Sequence, residues 1–495
     1  MASDEGTKTS SRAARKPSLF DAIVPAVALI GLLALSFVFF GDTASSGPNQ
    51  IALLFCAIIA AGVAYKNGLA WEGIRRAALD GISSGLAAIM ILLAVGALIG
   101  TWALSGTIVA MVYYGLQILN PHYFYATTAL ICAVIGLSIG SSWTVAGTLG
   151  IGLMGVAASM NLSPEVTAGA IISGAYFGDK ASPLSDTANL ATAAAGSGIY
   201  EHIRESLFTS VPALLVALVL FGALGSPGDF DAAAMLSGIE SSYVVSLWAF
   251  IPLLIVFGLS VAKFSPFITI FIGALAGGVV AVILDPSRVI AFAGDPNLVA
   301  PLAAIKGIWM ALANGYVASS GDAAIDAILT RGGMSSMMNT VWLIITALTF
   351  GATVEHAGLL NRLIDPVIHG AKSVAALVAT VVATCIGANI VTSDQYISIA
   401  LPARLFRPEF LKRGLAPVLL SRVVGDSATV TSPLIPWNSC GAYMAATLGV
   451  PATGFFLYSF FNLLNPVMTI LFATVGFRVL RSALGESKTT VTQER

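Results

Sequence analysis

The long stretches of this sequence that carry no formal charge determine what it can fold into. Residues 81–164 contain no Asp, Glu, Lys or Arg, and neither do residues 427–477. Five shorter charge-free runs cover 206–228, 241–262, 264–284, 332–354 and 373–393. Only 10% of the 495 residues are charged, whereas a soluble domain carries about 25%. Because a bilayer-spanning helix needs about 20 apolar residues, we expect an all-α polytopic membrane protein with about 11–13 membrane helices.

Basic residues next to the apolar runs predict the orientation of the chain. A cluster of basic residues precedes the first apolar run, residues 23–40, and another follows the last run. These residues are Lys8, Arg12, Arg15 and Lys16 before the first run, and Arg478 and Arg481 after the last. By the positive-inside rule, we expect a multi-pass protein of the bacterial-type inner membrane with both termini in the cytoplasm.

Two segments that lie about 250 residues apart share an ordered set of residues. Each contains Gly-Asp, then Ser-Pro-Leu, then Asn. The matching residues are Asp179, Ser182 and Asn189 in the first segment, and Asp426, Ser432 and Asn438 in the second. We therefore predict two repeats, 81–226 and 335–480, separated by a linker with scaffold helices at 227–334. Residues 1–80 are expected to form a cytoplasmic tail and an N-terminal helical pair, and residues 481–495 a second cytoplasmic tail.

The proline of each Ser-Pro-Leu motif indicates where a binding site lies. Pro183 and Pro433 lack an N–H group and break a helix, which leaves backbone groups unpaired at membrane depth. Such groups are tolerated only where they are buried in protein or face a cavity. Matching broken helices in two repeats are typical of the substrate site of a secondary transporter. Carbonyl, hydroxyl and carboxylate oxygens at such a break suit a small hard cation.

Ionisable residues around the first motif are the strongest candidates for ion binding. Asp179, Lys180 and Asp186 lie within eight residues, and charges inside a membrane are costly and usually functional. The alternative is a loop at the membrane interface. Lys180 could pair with an Asp or extend to the lipid headgroups, and both interpretations remain open.

The candidate ion ligands come from both motifs and from two small polar segments, GSSWTVAGT (140–148) and GANIVTSDQY (387–396). The carboxylates expected to bind Na+ are Asp179, Asp186 and Asp426. The other candidates are Thr144, Ser182, Asn189, Asn389, Asp394, Thr429, Ser432 and Asn438.

Two apparent enzyme motifs do not indicate catalysis. Residues 136–140 fit G-x-S-x-G and residues 150–155 fit a dinucleotide-binding fingerprint, but both motifs require a strand followed by a helix. Small residues that pack membrane helices explain both matches. We expect no enzyme activity, no cofactor and no nucleic-acid partner.

The two motif regions resemble those of the NhaC-type Na+/H+ antiporters, within the ion transporter superfamily. The similarity is carried by GAYFGDKASPLSDTANLA (174–191), IYEHIRES (199–206), DQYISIALPARLF (394–406) and TVTSPLIPWNSCGAYM (429–444). The resemblance implies that the repeats are inverted, with hairpin-like broken helices. It also implies a scaffold domain, a moving transport domain and, in many members, a homodimer.

These observations favour a secondary active transporter in the lipid bilayer that exchanges Na+ for H+. A carboxylate buried in a low dielectric is readily protonated, so a proton and Na+ would compete for it. The alternative is an Na+- or H+-coupled transporter or exchanger of a small amino acid or carboxylate. An intramembrane hydrolase is disfavoured because the motifs contain no nucleophile–base pair.

Overall fold

The computed structural model describes residues 15–225, 232–319, 326 and 329–481. This part of the chain is almost entirely helical. Its β-structure consists of two isolated bridges, Tyr316 with Arg331 and Leu415 with Arg481. The first sixteen α-helices are α1 (Leu19–Phe40), α2 (Pro48–Lys66), α3 (Trp71–Ser84), α4 (Leu86–Leu104), α5 (Thr107–Ile118), α6 (Phe124–Ile139), α7 (Ser142–Val145), α8 (Ile151–Ser159), α9 (Pro164–Ala181), α10 (Asp186–Ala195), α11 (Ile199–Leu224), α12 (Ala232–Ser242), α13 (Ile251–Val261), α14 (Pro266–Leu284), α15 (Pro286–Ala293) and α16 (Ala300–Asn314). They are followed by α17 (Met338–His356), α18 (Leu359–Gly370), α19 (Val374–Thr392), α20 (Gln395–Lys412), α21 (Pro417–Val424), α22 (Ser439–Leu448), α23 (Ala452–Phe455) and α24 (Phe460–Thr474).

Many of these helices are long and apolar enough to cross a membrane. Within the described ranges, nine qualify by length and composition, and the number rises to 11 if each of two bent helix pairs counts as one span. The bent pairs turn by 91° between Met235–Ser242 and Leu247–Val261, and by 92° between Ser439–Leu448 and Ala452–Tyr458. The prediction of an all-α polytopic membrane protein is confirmed.

The outer surface of the helical bundle is apolar. Large side chains such as Val38, Val219 and Ile283 are each more than two-thirds exposed, on three different helices. A surface with so many exposed apolar side chains is unfavourable in water but suits contact with lipid tails. Helices are stable there because their backbone hydrogen bonds are made within each helix.

Close packing of small residues positions the helix that carries Asp179. A Cβ added to Gly178 in α9 would lie only 2.5 Å from the backbone of Gly136 in α6. The two helices can approach this closely because neither residue has a side chain. The backbone just before Asp179 is therefore held tightly against α6.

Two helix breaks have the same form in the two halves of the chain. Gly140 directly follows α6 and has a φ of 74°, and Ser141 then caps α7. Ser393 directly follows α19 and has a φ of 59°, and Asp394 then caps α20. A positive φ turns the chain sharply at a helix C-terminus, and the polar cap restarts a helix in a new direction.

Both Ser-Pro-Leu motifs also interrupt a helix. α9 ends at Ala181, and Ser185 caps α10 after a short non-helical segment. In the second motif, π-helical residues Gly425–Thr429 lead to a 3-10 turn, Ser432–Leu434, and Asn438 then caps α22. The proposed repeat boundaries and the inverted relationship of the repeats stay predictions.

Candidate functional site

A buried carboxylate lies where the first Ser-Pro-Leu motif meets the break after α6. Asp179 is 3% exposed, and its carboxylate accepts hydrogen bonds from neutral groups. The Ser142 hydroxyl donates to Oδ2 at 2.7 Å, and the Ser142 backbone N–H donates to the same oxygen at 3.2 Å. Oδ1 accepts hydrogen bonds from Ser185 Oγ at 2.6 Å and from Thr187 Oγ1 at 3.5 Å. We call Asp179, Ser142, Ser185 and Thr187 the Asp179 cluster.

The local sequence explains how the Asp179 cluster forms. Gly140 turns the chain so that Ser142, two residues later, faces the end of α9. A Cβ at Gly140 would lie 2.8 Å from Leu184, so only glycine lets the two breaks approach this closely. Ser185 is the N-cap of α10, accepting the Ala188 N–H while its own hydroxyl donates to Asp179.

The second predicted carboxylate of the first motif lies at the edge of this cluster. Asp186 is exposed, and its Oδ2 accepts a hydrogen bond at 2.6 Å from Tyr396 of α20. The carboxylates of Asp179 and Asp186 are close enough to interact electrostatically. The structure therefore brings these two predicted Na+ ligands together, one buried and one accessible.

Asp426 lies in a different environment. Its carboxylate forms an ion pair with Lys180, and both side chains are at most 1% exposed. Lys180 also donates to Ser210 Oγ at 2.6 Å. Of the two roles left open for Lys180, the structure therefore has the pairing with an Asp.

Four further polar groups hold the Asp426 carboxylate. Thr209 Oγ1 lies 3.1 and 3.0 Å from its two oxygens, Asn465 Nδ2 donates to Oδ1 at 3.1 Å, and Thr469 donates to Oδ2. Arg422, one helical turn earlier, has its Nε 4.0 Å from Oδ2. We call these residues, with Lys180 and Asp426, the Asp426 cluster.

The Asp426 cluster continues into a chain of charges that reaches the surface. Arg422 NH1 lies 3.9 Å from the Glu205 carboxylate, which in turn lies 3.5 Å from Arg478. Arg422 and Glu205 are buried, whereas the Arg478 side chain is 28% exposed. Opposite charges alternate along this row, so every buried charge has a neighbour of opposite sign.

The predicted Asn residues hold the broken segments in place. Asn189 Nδ2 donates to the carbonyl oxygens of Pro183 and Ser185, at 3.3 and 2.6 Å. Asn438 Nδ2 donates to the Asn389 backbone and side-chain oxygens, at 3.2 Å each. Carbonyls freed by the helix breaks thus acquire partners, as buried or partly buried backbone groups require.

Asn389 extends the same bracing to the second motif, where its Nδ2 donates to the carbonyl of Ala428 at 2.8 Å and to Thr431 Oγ1 at 3.0 Å. Asp394 caps α20 by accepting the Ile397 N–H at 2.8 Å. The hydroxyl of Ser432 donates to the Thr429 carbonyl at 2.8 Å.

The Thr144 hydroxyl donates to Ser141 Oγ at 3.0 Å, not to the Asp179 carboxylate. Its neighbour Ser142 makes the contact instead. Ser142 lies in the predicted GSSWTVAGT segment, but the predicted ligand in that segment is Thr144. Thr209, Asn465 and Thr469 were missed entirely, because single polar residues in long apolar helices carry no motif.

The three predicted Na+ carboxylates do not form one group. In the described parts of the chain, no three or more His, Cys, Asp or Glu side chains lie together in a way that could hold a metal ion. Asp179 and Asp186 share one location and Asp426 another. The oxygens next to the Asp179 carboxylate belong to hydroxyl groups, and oxygen ligands suit hard cations.

Comparison with known proteins identifies the family of the chain. The profile of the Na+/H+ antiporter family matches residues 174–477, which include both Ser-Pro-Leu motifs. The chain is 34% identical over 434 residues to the Na+/H+ antiporter NhaC of Alkalihalophilus pseudofirmus, covering 87% of this chain and 91% of that relative.

Two other similar proteins are named for organic solutes. The chain is 30% identical over 476 residues to the arginine/ornithine antiporter ArcD of Halobacterium salinarum, covering 94% of this chain and 93% of ArcD. It is 31% identical over 481 residues to the malate-2H+/Na+-lactate antiporter of Bacillus subtilis, covering 95% and 96%. All three relatives are antiporters, and none is named as an enzyme. This chain is a multi-pass membrane protein that belongs to the Na+/H+ antiporter family.

Proposed function

We propose that this antiporter exchanges Na+ for H+ by competition of the two ions for the carboxylate of Asp179. The observation that carries the proposal is that Asp179 is buried among hydroxyl groups with no Lys, Arg or His paired to it in the described residues. An isolated buried carboxylate is strongly unfavourable when ionised. Either a proton or a bound cation removes this penalty, so the site holds one of the two.

The hydroxyl groups of the Asp179 cluster suit both states. A Ser or Thr hydroxyl is a donor and also carries two acceptor lone pairs. Ser142 and Ser185 can therefore donate to an ionised carboxylate, or rotate and present their oxygens to Na+. Since one carboxylate cannot hold both ions, alternating access by the site moves Na+ one way and H+ the other.

Asp426 has a different role in this proposal. Lys180 neutralises its charge inside the protein, so Asp426 needs no transported ion to be stable there. Because Asp179 and Lys180 are consecutive at the end of α9, movement of this helix end would affect both clusters together. We therefore assign the exchange to Asp179 and the anchoring of the α9 end to the Lys180–Asp426 pair.

The proposal extends to the surroundings of the protein. The basic residues near both ends of the chain favour an inner-membrane orientation with cytoplasmic termini. The resemblance to NhaC-type antiporters supports a homodimer, a fixed scaffold and a moving transport domain that contains the two repeats. Na+ and H+ are the transported ions, and no cofactor is needed for exchange by this mechanism.

The second candidate is coupled transport of a small amino acid or carboxylate. It is favoured by the two relatives named for arginine and ornithine and for malate and lactate. In this alternative, the cation at Asp179 would complete a solute site between the two Ser-Pro-Leu breaks.

Flux measurements in proteoliposomes separate the two candidates. The purified full-length chain would be reconstituted with a pH-sensitive dye inside, and an Na+ gradient applied with no organic solute present. We expect an Na+-dependent change of internal pH. A pH change that requires an added amino acid or carboxylate would contradict Na+/H+ exchange and support the second candidate.

A further inference from the structure

A pair of stacked aromatic rings joins the two halves of the chain next to the Asp179 cluster. Trp143 directly follows Ser142, and Tyr443 lies in α22, after the second Ser-Pro-Leu break. Their ring centroids are 4.0 Å apart and their planes differ by only 13°. The Tyr443 hydroxyl also donates to the Trp143 carbonyl oxygen at 2.8 Å. The tyrosine ring is therefore fixed both at its face and at its tip.

Other side chains pack closely around this pair. Tyr443 has no exposed surface, and Trp143 is partly buried. A Cβ added to Gly147, in the π-helical segment Ala146–Gly150, would lie 2.7 Å from the Tyr443 hydroxyl oxygen and 3.0 Å from Val95, so there is no gap on this side. On another side, Cys440 lies beside both Trp143 and Tyr176.

We propose that Trp143 and Tyr443 form a barrier that restricts the transported species to Na+ and H+ and excludes amino acids and carboxylic acids. The inference rests on the proposed exchange at Asp179 and adds the class of substrate that the site rejects. An organic solute must be enclosed by a cavity of its own size, with most of its surface buried. The two rings stack between α7, which follows the Gly140 break, and α22, which follows the second Ser-Pro-Leu break, so they fill the contact in which such a cavity would have to open.

Na+ needs no such cavity. Under the proposal the oxygens of the Asp179 cluster hold the cation, and neither Trp143 nor Tyr443 hydrogen-bonds to the Asp179 carboxylate in the described residues. Selectivity in transport proteins commonly depends on the dimensions of the passage and the groups that line it. Removing a ring would enlarge the space next to the ion site without changing an ion ligand.

A purely structural role of the ring pair predicts a different result. If the rings only tie the two halves together, then their removal lowers thermal stability and leaves the choice of solute unchanged. Solute uptake is therefore the informative measurement.

The experiment compares the wild type with Trp143→Ala and Tyr443→Ala in proteoliposomes, with uptake of labelled alanine and labelled succinate measured under an Na+ gradient. Tyr443→Phe keeps the ring and removes the hydroxyl. Phe271→Ala is the matched control, because it removes one ring of the Phe267–Phe271 pair (5.8 Å, 14°) in α14, far along the chain from the site. Trp143→Leu is the milder variant, should Trp143→Ala not fold.

We expect the wild type, Tyr443→Phe and Phe271→Ala to take up no more of either solute than protein-free liposomes. The Ala variants at Trp143 and Tyr443 should take up at least one solute about tenfold faster, as expected when a pocket loses a group that excludes it. In the wild type, a large excess of either solute should leave Na+-dependent proton movement unchanged.

Two results would overturn the barrier. One is uptake of alanine or succinate by the wild type, or inhibition of its exchange by them. The other is a set of folded Trp143 and Tyr443 variants that exclude both solutes as the wild type does. If Trp143→Ala and Tyr443→Ala do not fold, uptake by Trp143→Leu decides, and exclusion of both solutes by that variant overturns the barrier. A wild type without any Na+-dependent proton movement would instead refute the proposed function.

Discussion

The ammonium group of Lys180 contacts the carboxylate of Asp426 across 246 residues of sequence. This buried pair joins the end of α9 to the segment after α21. Asp179, directly before Lys180, lies in a separate cluster, where no described residue provides a cationic partner. Of these two consecutive residues, Lys180 neutralises the carboxylate of Asp426, whereas Asp179 contributes a carboxylate that is not neutralised by an ion pair with any described residue.

Removing one partner of this ion pair should destabilise the protein strongly. Lys180→Met and Asp426→Asn should each lower the free energy of unfolding by about 3–5 kcal/mol, because each leaves an uncompensated buried group. The double variant should lose less than the sum. Thermal unfolding in detergent measures this, with Lys306→Met and Asp295→Asn, which form a partly exposed pair, as controls. Fully additive losses would mean that the two residues do not interact.

Replacement of Asp179 by Asn should abolish exchange. Asn keeps the shape and one acceptor oxygen but removes the charge and the titratable proton. We expect a folded variant whose Na+-dependent proton movement falls to that of protein-free liposomes. Asp295→Asn, in a loop with its own Lys partner, is the control and should behave as the wild type. Wild-type exchange in Asp179→Asn would move the competition to another acid.

The apparent affinity for Na+ should fall as the pH is lowered. If one proton and one Na+ compete for Asp179, then mass action lowers the affinity by about tenfold per pH unit wherever the site is mostly protonated. Flux at several Na+ concentrations and pH values gives this slope. A pH-independent affinity would be incompatible with a shared site.

Loss of the Ser142 hydroxyl should weaken Na+ binding without unfolding the protein. This hydroxyl donates to Asp179 at 2.7 Å, and hydrogen bonds to charged groups contribute about 1.5–3 kcal/mol. Under the proposal this hydroxyl also rotates to give its oxygen to Na+, so Ser142→Ala removes one ligand and should lower the apparent Na+ affinity about tenfold or more. Ser138→Ala is the control, because the Ser138 hydroxyl donates to the Val134 carbonyl of its own helix. Equal affinities in both variants would exclude Ser142 from the site.

Asn438 should matter for stability more than for ion affinity. It caps α22 and bonds to Asn389, so Asn438→Ala should cost about 1–2 kcal/mol of stability, as for other N-caps. The measurement is thermal unfolding, with the exposed Asn297→Ala as the control. A large loss of Na+ affinity with unchanged stability would instead make Asn438 an ion ligand.

The sequence alone determined the class of the protein and the position of its helix breaks. Charge-free runs of this length can be accommodated only in a bilayer, and there only as helices, because lipid offers no hydrogen bonds to the backbone. Pro183 and Pro433 marked the breaks for a similarly local reason, since proline cannot continue the hydrogen-bond pattern of a helix. The number of spans does not follow from composition alone, because bent helix pairs such as Ser439–Leu448 with Ala452–Tyr458 can count as one span or none.

The tertiary structure decided which polar residues meet. By sequence position, Asp179 and Asp426 were equivalent, yet Lys180 pairs with one of them and leaves the other among hydroxyl groups. Thr144 was the predicted ligand in its segment, but the turn at Gly140 brings Ser142 to Asp179 instead. Such contacts depend on how helices distant in sequence are rotated and packed against one another. A motif records spacing along one segment, so it cannot specify the partner that another helix supplies.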